Sequence, residues 1–176
     1  VADTYNHAVK IYDLDLKLHS GDSALTEYMP SALDNGKELS FKIGPKSFYQ
    51  TNPAQAHRLY CEVIKLAKIE KEDIVYDLYT GTGTIALFMA QVAKKVVGIE
   101  SVPEAIEAAK QNALNNNISN AHFIVGDMRN VFDEKIWNEH GKPNVLVADP
   151  PRDGMHPKVI QRLNELKIPR IIYVSC

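Results

Sequence analysis

The stretch Ile74-Val-Tyr-Asp77-Leu-Tyr-Thr-Gly81-Thr-Gly83-Thr-Ile-Ala86 decides how this chain folds. It opens with an apolar run, Ile74–Leu78, that is typical of a strand buried on both faces of a sheet. Glycines follow where the backbone must turn sharply, and a helical pattern then runs over residues 84–93. A strand, a glycine-rich turn and a helix in this order predict the first βαβ unit of a parallel sheet.

The same alternation of strands and helices continues on both sides of this stretch. Further strands are predicted over residues 95–99, 122–125, 145–148 and 170–174, and helices are predicted to begin at Pro53, Pro103 and Pro157. We expect the apolar residues of these helices, Leu114 and Ile160 among them, to face inward. The chain is therefore predicted to adopt an α/β fold with a Rossmann-like parallel sheet, whose ligand crevice lies at the carboxyl ends of the strands.

Residues 1–45 follow a different pattern. Apolar residues alternate with polar ones around Ile11 and Leu18, and turn-forming residues separate these short runs. We predict a small β-rich extension over residues 1–45 and a sheet domain over residues 46–176. The chain stops directly after the fifth predicted strand of the sheet, so we expect the C-terminal strands of that domain to be missing.

The composition excludes several classes of protein. With 176 residues, 45% hydrophobic and 24% charged, the chain is neither a disordered segment nor a collagen-like fibre. Its two cysteines, Cys61 and Cys176, cannot build a disulfide scaffold, and no leader or bilayer-length apolar run is visible. We therefore expect a cytoplasmic protein without a membrane partner. The net charge of −2 does not indicate a strongly basic RNA-binding face.

Carboxylates follow several of the predicted strands and point to the ligand class. The loop at Gly81–Gly83 fits both nicotinamide and adenosyl cofactors, and Glu100, after the second strand of the sheet, can accept hydrogen bonds from ribose hydroxyls. Asp77 discriminates between the two, because a carboxylate ahead of the glycines would repel a pyrophosphate and attract the ammonium or sulfonium of S-adenosylmethionine. The pattern thus favours S-adenosylmethionine over NAD.

Five motifs together resemble the RNA (uracil-5-)-methyltransferase family. In chain order they are Phe48-Tyr-Gln50-Thr-Asn52, Asp77-Leu-Tyr-Thr-Gly-Thr-Gly83, Val97-Gly-Ile-Glu100, Asp149-Pro-Pro-Arg152 and Tyr173-Val-Ser-Cys176. The resemblance covers residues 41–176 and implies that residues 46–176 are a methyltransferase domain that binds S-adenosylmethionine. It also implies an RNA substrate, with 23S ribosomal RNA as our expectation and transfer RNA as the alternative. Two alternatives from other functional classes stay open, an NAD-dependent oxidoreductase and a non-catalytic RNA-binding module.

The resemblance assigns roles to individual residues. Cys176 matches the catalytic nucleophile, and the expected cofactor contacts are Gln50, Tyr79, Thr84, Glu100, Asp127 and Asp149. Thr80 replaces a cysteine that is common in the family, and we expect no chemical consequence from this change. No metal ligand is predicted in the chain, since the four-cysteine iron–sulfur site of some members would precede Val1. The general base would follow Cys176, so we expect this chain to be inactive alone.

Overall fold

The computed structural model describes residues 11–12, 18–20, 24–33, 36–44, 50 and 52–175. Four strands come first: β1 (Ile11–Tyr12), β2 (Leu18–Ser20), β3 (Leu25–Pro30) and β4 (Glu38–Ile43). The alternating part follows with α1 (Pro53–Ala67), β5 (Ile74–Leu78), α2 (Thr84–Ala90), β6 (Lys95–Glu100), α3 (Pro103–Asn115), β7 (Ala121–Val125), α4 (Met128–Val131), α5 (Glu134–His140), β8 (Val145–Ala148), α6 (Pro157–Leu166) and β9 (Arg170–Tyr173).

Five of these strands form one parallel sheet in the order β7-β6-β5-β8-β9. The chain proceeds outward from β5 through β6 to β7, and then returns to the other side of β5 with β8. This reversal makes the carboxyl end of β5 the topological switch point, where open α/β sheets bind their ligands. The predicted α/β fold with a Rossmann-like parallel sheet is confirmed.

Each face of the sheet carries its own hydrophobic core. On one face α1 and α2 pack around Phe88, whose ring lies 5.3 Å from that of Tyr60 and 6.1 Å from that of Phe41, centroid to centroid. On the other face Tyr76, Phe132 and neighbouring residues pack against α6. Burial on both faces explains why the strands are continuous apolar runs.

The antiparallel hairpin of β3 and β4 belongs to the first of these cores. Its inward side chains Met29, Leu39 and Phe41 are buried together with Phe88 of α2. A small N-terminal β-rich extension was predicted, although its antiparallel pairing and β3 as a separate strand were not foreseen. The division of the chain at residues 45 and 46 stays a prediction.

Two helices turn a different face inward from the one expected. Leu114 is 70% exposed and Asn112 is fully buried, because Asn112 and not Leu114 continues the stripe formed by Ala105 and Ala109. In α6, Val159 is fully buried and Ile160 is 44% exposed. In addition, α2 ends at Ala90 and not at residue 93, and α4 and α5 were not predicted.

Arg170 joins three elements at the amino end of the sheet. Its guanidinium donates to both carboxylate oxygens of Asp73 at 2.7 Å, and it also donates to the carbonyl of Ala67 at 2.9 Å and to that of Lys68. These bonds connect β9 to the C-terminus of α1 and to the residue that precedes β5. Since Asp73 is buried, its charge depends on this partner.

We expect Arg170→Leu to lower the free energy of unfolding by about 2 to 4 kcal/mol, because it leaves the Asp73 carboxylate buried without its cation. Urea denaturation measures this loss. The control is Lys94→Ala, which breaks an exposed ion pair with Glu72 and should change the same quantity by about 0.5 kcal/mol or less. Equal losses in the two variants would contradict the role given to Arg170.

Candidate functional site

The loop after β5 has an unusual backbone. Tyr79, Gly81 and Gly83 all have positive φ, at +65°, +55° and +81°. Glycine adopts such angles freely, but a tyrosine does so only under strain, which is typical of functional sites. Two hydrogen bonds hold the loop, from the Thr80 N–H to the carbonyl of Ile99 and from the Gly83 N–H to that of Thr80.

Gly98 makes room for this loop against the sheet. It lies opposite Asp77 on β6, and a Cβ atom there would stand 2.8 Å from the Thr80 hydroxyl and 2.7 Å from the Phe123 ring. In the space left free, the Thr80 hydroxyl donates a 2.6 Å hydrogen bond to Oδ2 of Asp77. Thr80 is therefore a hydrogen-bond partner of the buried carboxylate, while the expectation that its replacement of a cysteine has no chemical consequence stays a prediction.

Asp77 is the most perturbed carboxylate of the described residues. The residue is 1% exposed, and its Oδ1 atom has no hydrogen-bond partner within the described part of the chain. Burial, together with the smaller effects of the Asp149 and Glu100 charges, raises the pKa of Asp77 to about 7, although the Thr80 hydroxyl and the Ala86 N–H lower it in part. An unpaired carboxylate oxygen of this kind is a site for a cationic group.

A small cavity of about 60 Å³, partly open to solvent, lies at this end of the sheet. Four of the six predicted cofactor residues line it together with Asp77, and they are Gln50, Tyr79, Thr84 and Asp149. Burial also raises the pKa of Asp149. The structure thus brings residues from three separate motifs to one cavity, while their part in binding stays a prediction.

The other two predicted cofactor residues hold the backbone near this cavity. Glu100 accepts a 3.2 Å hydrogen bond from the Gly81 N–H through Oε2, while Oε1 accepts from the N–H groups of Ser101 and Val102. Asp127 caps α4 through the Arg129 N–H and also pairs with the Arg129 guanidinium, which lowers the pKa of Asp127 to about 2. Contact of either carboxylate with a cofactor stays a prediction.

Cys176 lies outside the described residues, as do Phe48 and Tyr49 of the first motif. The described part of the last motif runs beside β8, since the Val174 N–H donates to the Ala148 carbonyl next to Asp149. Within the ranges that the structure describes, no three metal-ligating side chains converge. No helix in those ranges has the length and apolar character that a bilayer span requires.

Comparison with known proteins identifies the family. The model of the tRNA (uracil-5-)-methyltransferase family matches residues 23–176. The chain belongs to this family. It is 48% identical over 166 residues to an uncharacterized RNA methyltransferase of Bacteroides thetaiotaomicron and 46% identical to one of Porphyromonas gingivalis. These matches cover 94% of the chain but 35% and 34% of the two relatives, so the chain spans about a third of their length.

Solved structures agree with this assignment. The tRNA (uracil-54, C5)-methyltransferase of Pyrococcus abyssi, solved in complex with S-adenosyl-L-homocysteine, superposes with a TM-score of 0.74 and is 33% identical. That match covers 99% of this chain and 43% of the other. Precorrin 8w decarboxylase of Methanobacterium thermoautotrophicum has a TM-score of 0.63 at 22% identity, covering 77% of this chain and 69% of that one, and shares the fold. The family resemblance seen in the sequence is confirmed.

The raised pKa of Asp77 predicts a pH-dependent stability. Between about pH 4 and pH 7 the unfolded chain releases the Asp77 proton that the folded chain retains, so this residue lowers stability as the pH rises through that window. We expect Asp77→Asn to match the wild type near pH 4 and to exceed it by roughly 2 kcal/mol at pH 8.

Urea denaturation at pH 4, 6 and 8 measures this difference. Thr80→Val is the matched control with the opposite sign, because it removes a hydrogen bond that favours the ionised carboxylate and should cost more stability at pH 8 than at pH 4. A difference between Asp77→Asn and the wild type that stays constant with pH would contradict the prediction.

Proposed function

We propose that this chain is the cofactor-binding part of an enzyme that transfers a methyl group from S-adenosylmethionine to carbon 5 of a uridine in RNA. The observation that carries the proposal is the unpaired, buried Oδ1 atom of Asp77 in the wall of the cavity at the switch point.

The charges in the cavity support this cofactor over a dinucleotide. Asp77 and Asp149 line the same cavity, and burial raises the pKa of both. A cation placed between two desolvated carboxylates stabilises their ionised forms, whereas a pyrophosphate would add like charge. S-adenosylmethionine carries such cations in its ammonium and sulfonium groups. The NAD-dependent oxidoreductase considered from the sequence is therefore disfavoured.

Residues in and beside the cavity suit the other parts of the cofactor. Among the described residues one hydrogen bond reaches Oε2 of Glu100, so this atom keeps a lone pair for a ribose hydroxyl. The amide of Gln50 offers both a donor and an acceptor. We assign Tyr79, Thr84 and Asp127 to further contacts, as the family resemblance implies.

The proposed chemistry needs a nucleophile, because carbon 5 of uracil is unreactive by itself. The Cys176 thiolate forms a bond to carbon 6 of the ring, and the displaced electron pair moves onto carbon 5 through the enolate. When bound, S-adenosylmethionine supplies the electrophilic methyl group. A base then removes the proton on carbon 5, the carbon–sulfur bond breaks, and the thiolate is regenerated. A thiolate suits both the addition and the elimination.

The RNA class has two candidates. Ribosomal 23S RNA is our expectation from the sequence, and the cytoplasm is the compartment that fits it. The similarity to a Pyrococcus abyssi enzyme named for uracil 54 of tRNA favours transfer RNA as the second candidate.

We expect S-adenosyl-L-homocysteine to bind the folded chain in calorimetry, and NADH not to bind. Asp77→Asn should weaken the affinity about tenfold, because the ligand ammonium loses a charged acceptor. Glu62→Gln, which neutralises an exposed carboxylate on α1, is the control and should leave the affinity unchanged. Absence of detectable heat at millimolar S-adenosyl-L-homocysteine would refute the proposed cofactor.

We expect Cys176 to form a covalent adduct with RNA that contains 5-fluorouridine, because fluorine at carbon 5 cannot leave as the proton does. The full-length protein, S-adenosylmethionine and either 5-fluorouridine tRNA or a 23S fragment are mixed, and a denaturing gel reveals the adduct. Cys61→Ala should still trap RNA, and the RNA that is trapped identifies the substrate. An adduct formed by Cys176→Ala would overturn the assignment.

A further inference from the structure

Asn112 of α3 and Asn116, the C-cap residue of that helix, take the place of a neighbouring strand along β4. Asn116 accepts from the Ser40 N–H at 2.8 Å and donates to the Ser40 carbonyl at 2.7 Å. Asn112 pairs with Lys42 in the same way, because it accepts from the Lys42 N–H at 2.7 Å and donates to the Lys42 carbonyl at 3.4 Å. Each side-chain amide thus satisfies both backbone groups of one residue on the edge of the hairpin.

The spacing of the two elements explains why this pairing fits. Residues four apart in a helix are separated by about 6 Å along its axis, and residues two apart in an antiparallel strand by about 6.8 Å. Asn112 and Asn116 are therefore in register with Lys42 and Ser40. The opposite edge of β4 is paired with β3, so the strand is held on both sides.

Asn112 makes one bond that Asn116 does not. Its Nδ2 atom also donates to the carbonyl of Thr82 at 3.2 Å, inside the loop that lines the cavity. Asn112 is fully buried, and its two amide hydrogens are both used, one on the hairpin and one on the loop. This residue is thus the point where the hairpin, α3 and the loop meet.

The loop needs such a restraint because of its composition. Thr82 stands between Gly81 and Gly83, both of which have positive φ, and glycine loses more backbone entropy on ordering than other residues. Ordering the loop before the ligand arrives removes that cost from binding. Asn112 is the described side chain that holds the carbonyl at the centre of the loop.

We propose that Asn112 is a positioning residue for the cofactor, a role that rests on the proposed function: it fixes the Thr82 carbonyl and thereby couples the β3–β4 hairpin to cofactor affinity. Asn112 does not touch the cavity and acts through the loop. The competing view is that Asn112 only stabilises the hairpin, as Asn116 does.

Matched variants separate the two roles, because Asn112→Ala removes bonds to the hairpin and the loop, whereas Asn116→Ala removes bonds to the hairpin and a bond within α3. Hydrogen exchange at the Gly81 and Gly83 amides, without ligand, reports on the loop. Calorimetry with S-adenosyl-L-homocysteine reports on affinity, and thermal unfolding reports on stability. All measurements use the full chain.

We expect both variants to unfold at lower temperature, but only Asn112→Ala to speed loop exchange and to weaken affinity, each about tenfold, which corresponds to about 1.4 kcal/mol. Asn116→Ala should change exchange and affinity by less than about twofold. Equal effects of the two variants, or unchanged loop exchange in Asn112→Ala, would overturn the proposal.

Two further provisions separate a failure of the positioning role from a failure of the proposed cofactor. If Asn112→Ala does not fold, Asn112→Asp replaces it, because its carboxylate still accepts from the Lys42 N–H but in its ionised form has no hydrogen for Thr82. If the wild type binds no S-adenosyl-L-homocysteine, the proposed cofactor is wrong, whereas faster loop exchange in Asn112→Ala alone still supports the positioning of the loop.

Discussion

A carboxylate removed from water at the centre of a parallel sheet is the constraint on which the rest of this structure depends. Asp77 lies between Gly98 on one neighbouring strand and Val147 on the other and is 1% exposed. The Thr80 hydroxyl donates to its Oδ2 atom, and the Ala86 N–H also favours the ionised form. Gly98 on the neighbouring strand, the turn of the loop and the cavity beside it are all arranged around this buried carboxylate, which has its hydrogen bond at one of its two oxygens.

The support for this site comes from parts of the chain that are distant in sequence. The hairpin reaches the loop through Asn112, and Arg170 anchors the opposite end of the sheet to α1. Packing around Phe88 joins the hairpin, α1 and α2 into one core. The hairpin and the core around Phe88 therefore hold the ligand end of the sheet, while Arg170 holds its other end, and such support keeps functional groups in a fixed geometry.

Sequence patterns predicted the elements whose signal is local. The strands Ile74–Leu78 and Val145–Ala148 were delimited correctly, because each is a continuous apolar run ending near a carboxylate. The burial of Asn112 was not predicted, because a polar residue in a helix is recognised as buried only when its hydrogen-bond partners are known. Those partners, Lys42 and Thr82, lie 70 and 30 residues away. The role of Thr80 was not predicted for the same reason, because the hydrogen bond from its hydroxyl to Asp77 depends on the space that Gly98 leaves free.

The side-chain pairing along β4 has a consequence for how the molecule meets other molecules. An open strand edge is a template on which a foreign strand can add, and proteins protect such edges with charge, bulges or covering elements. Here the side-chain amide of Asn116 binds the backbone N–H and carbonyl of Ser40, and that of Asn112 binds those of Lys42. The β4 edge of the hairpin is thus closed at these two residues to the addition of a strand from another molecule.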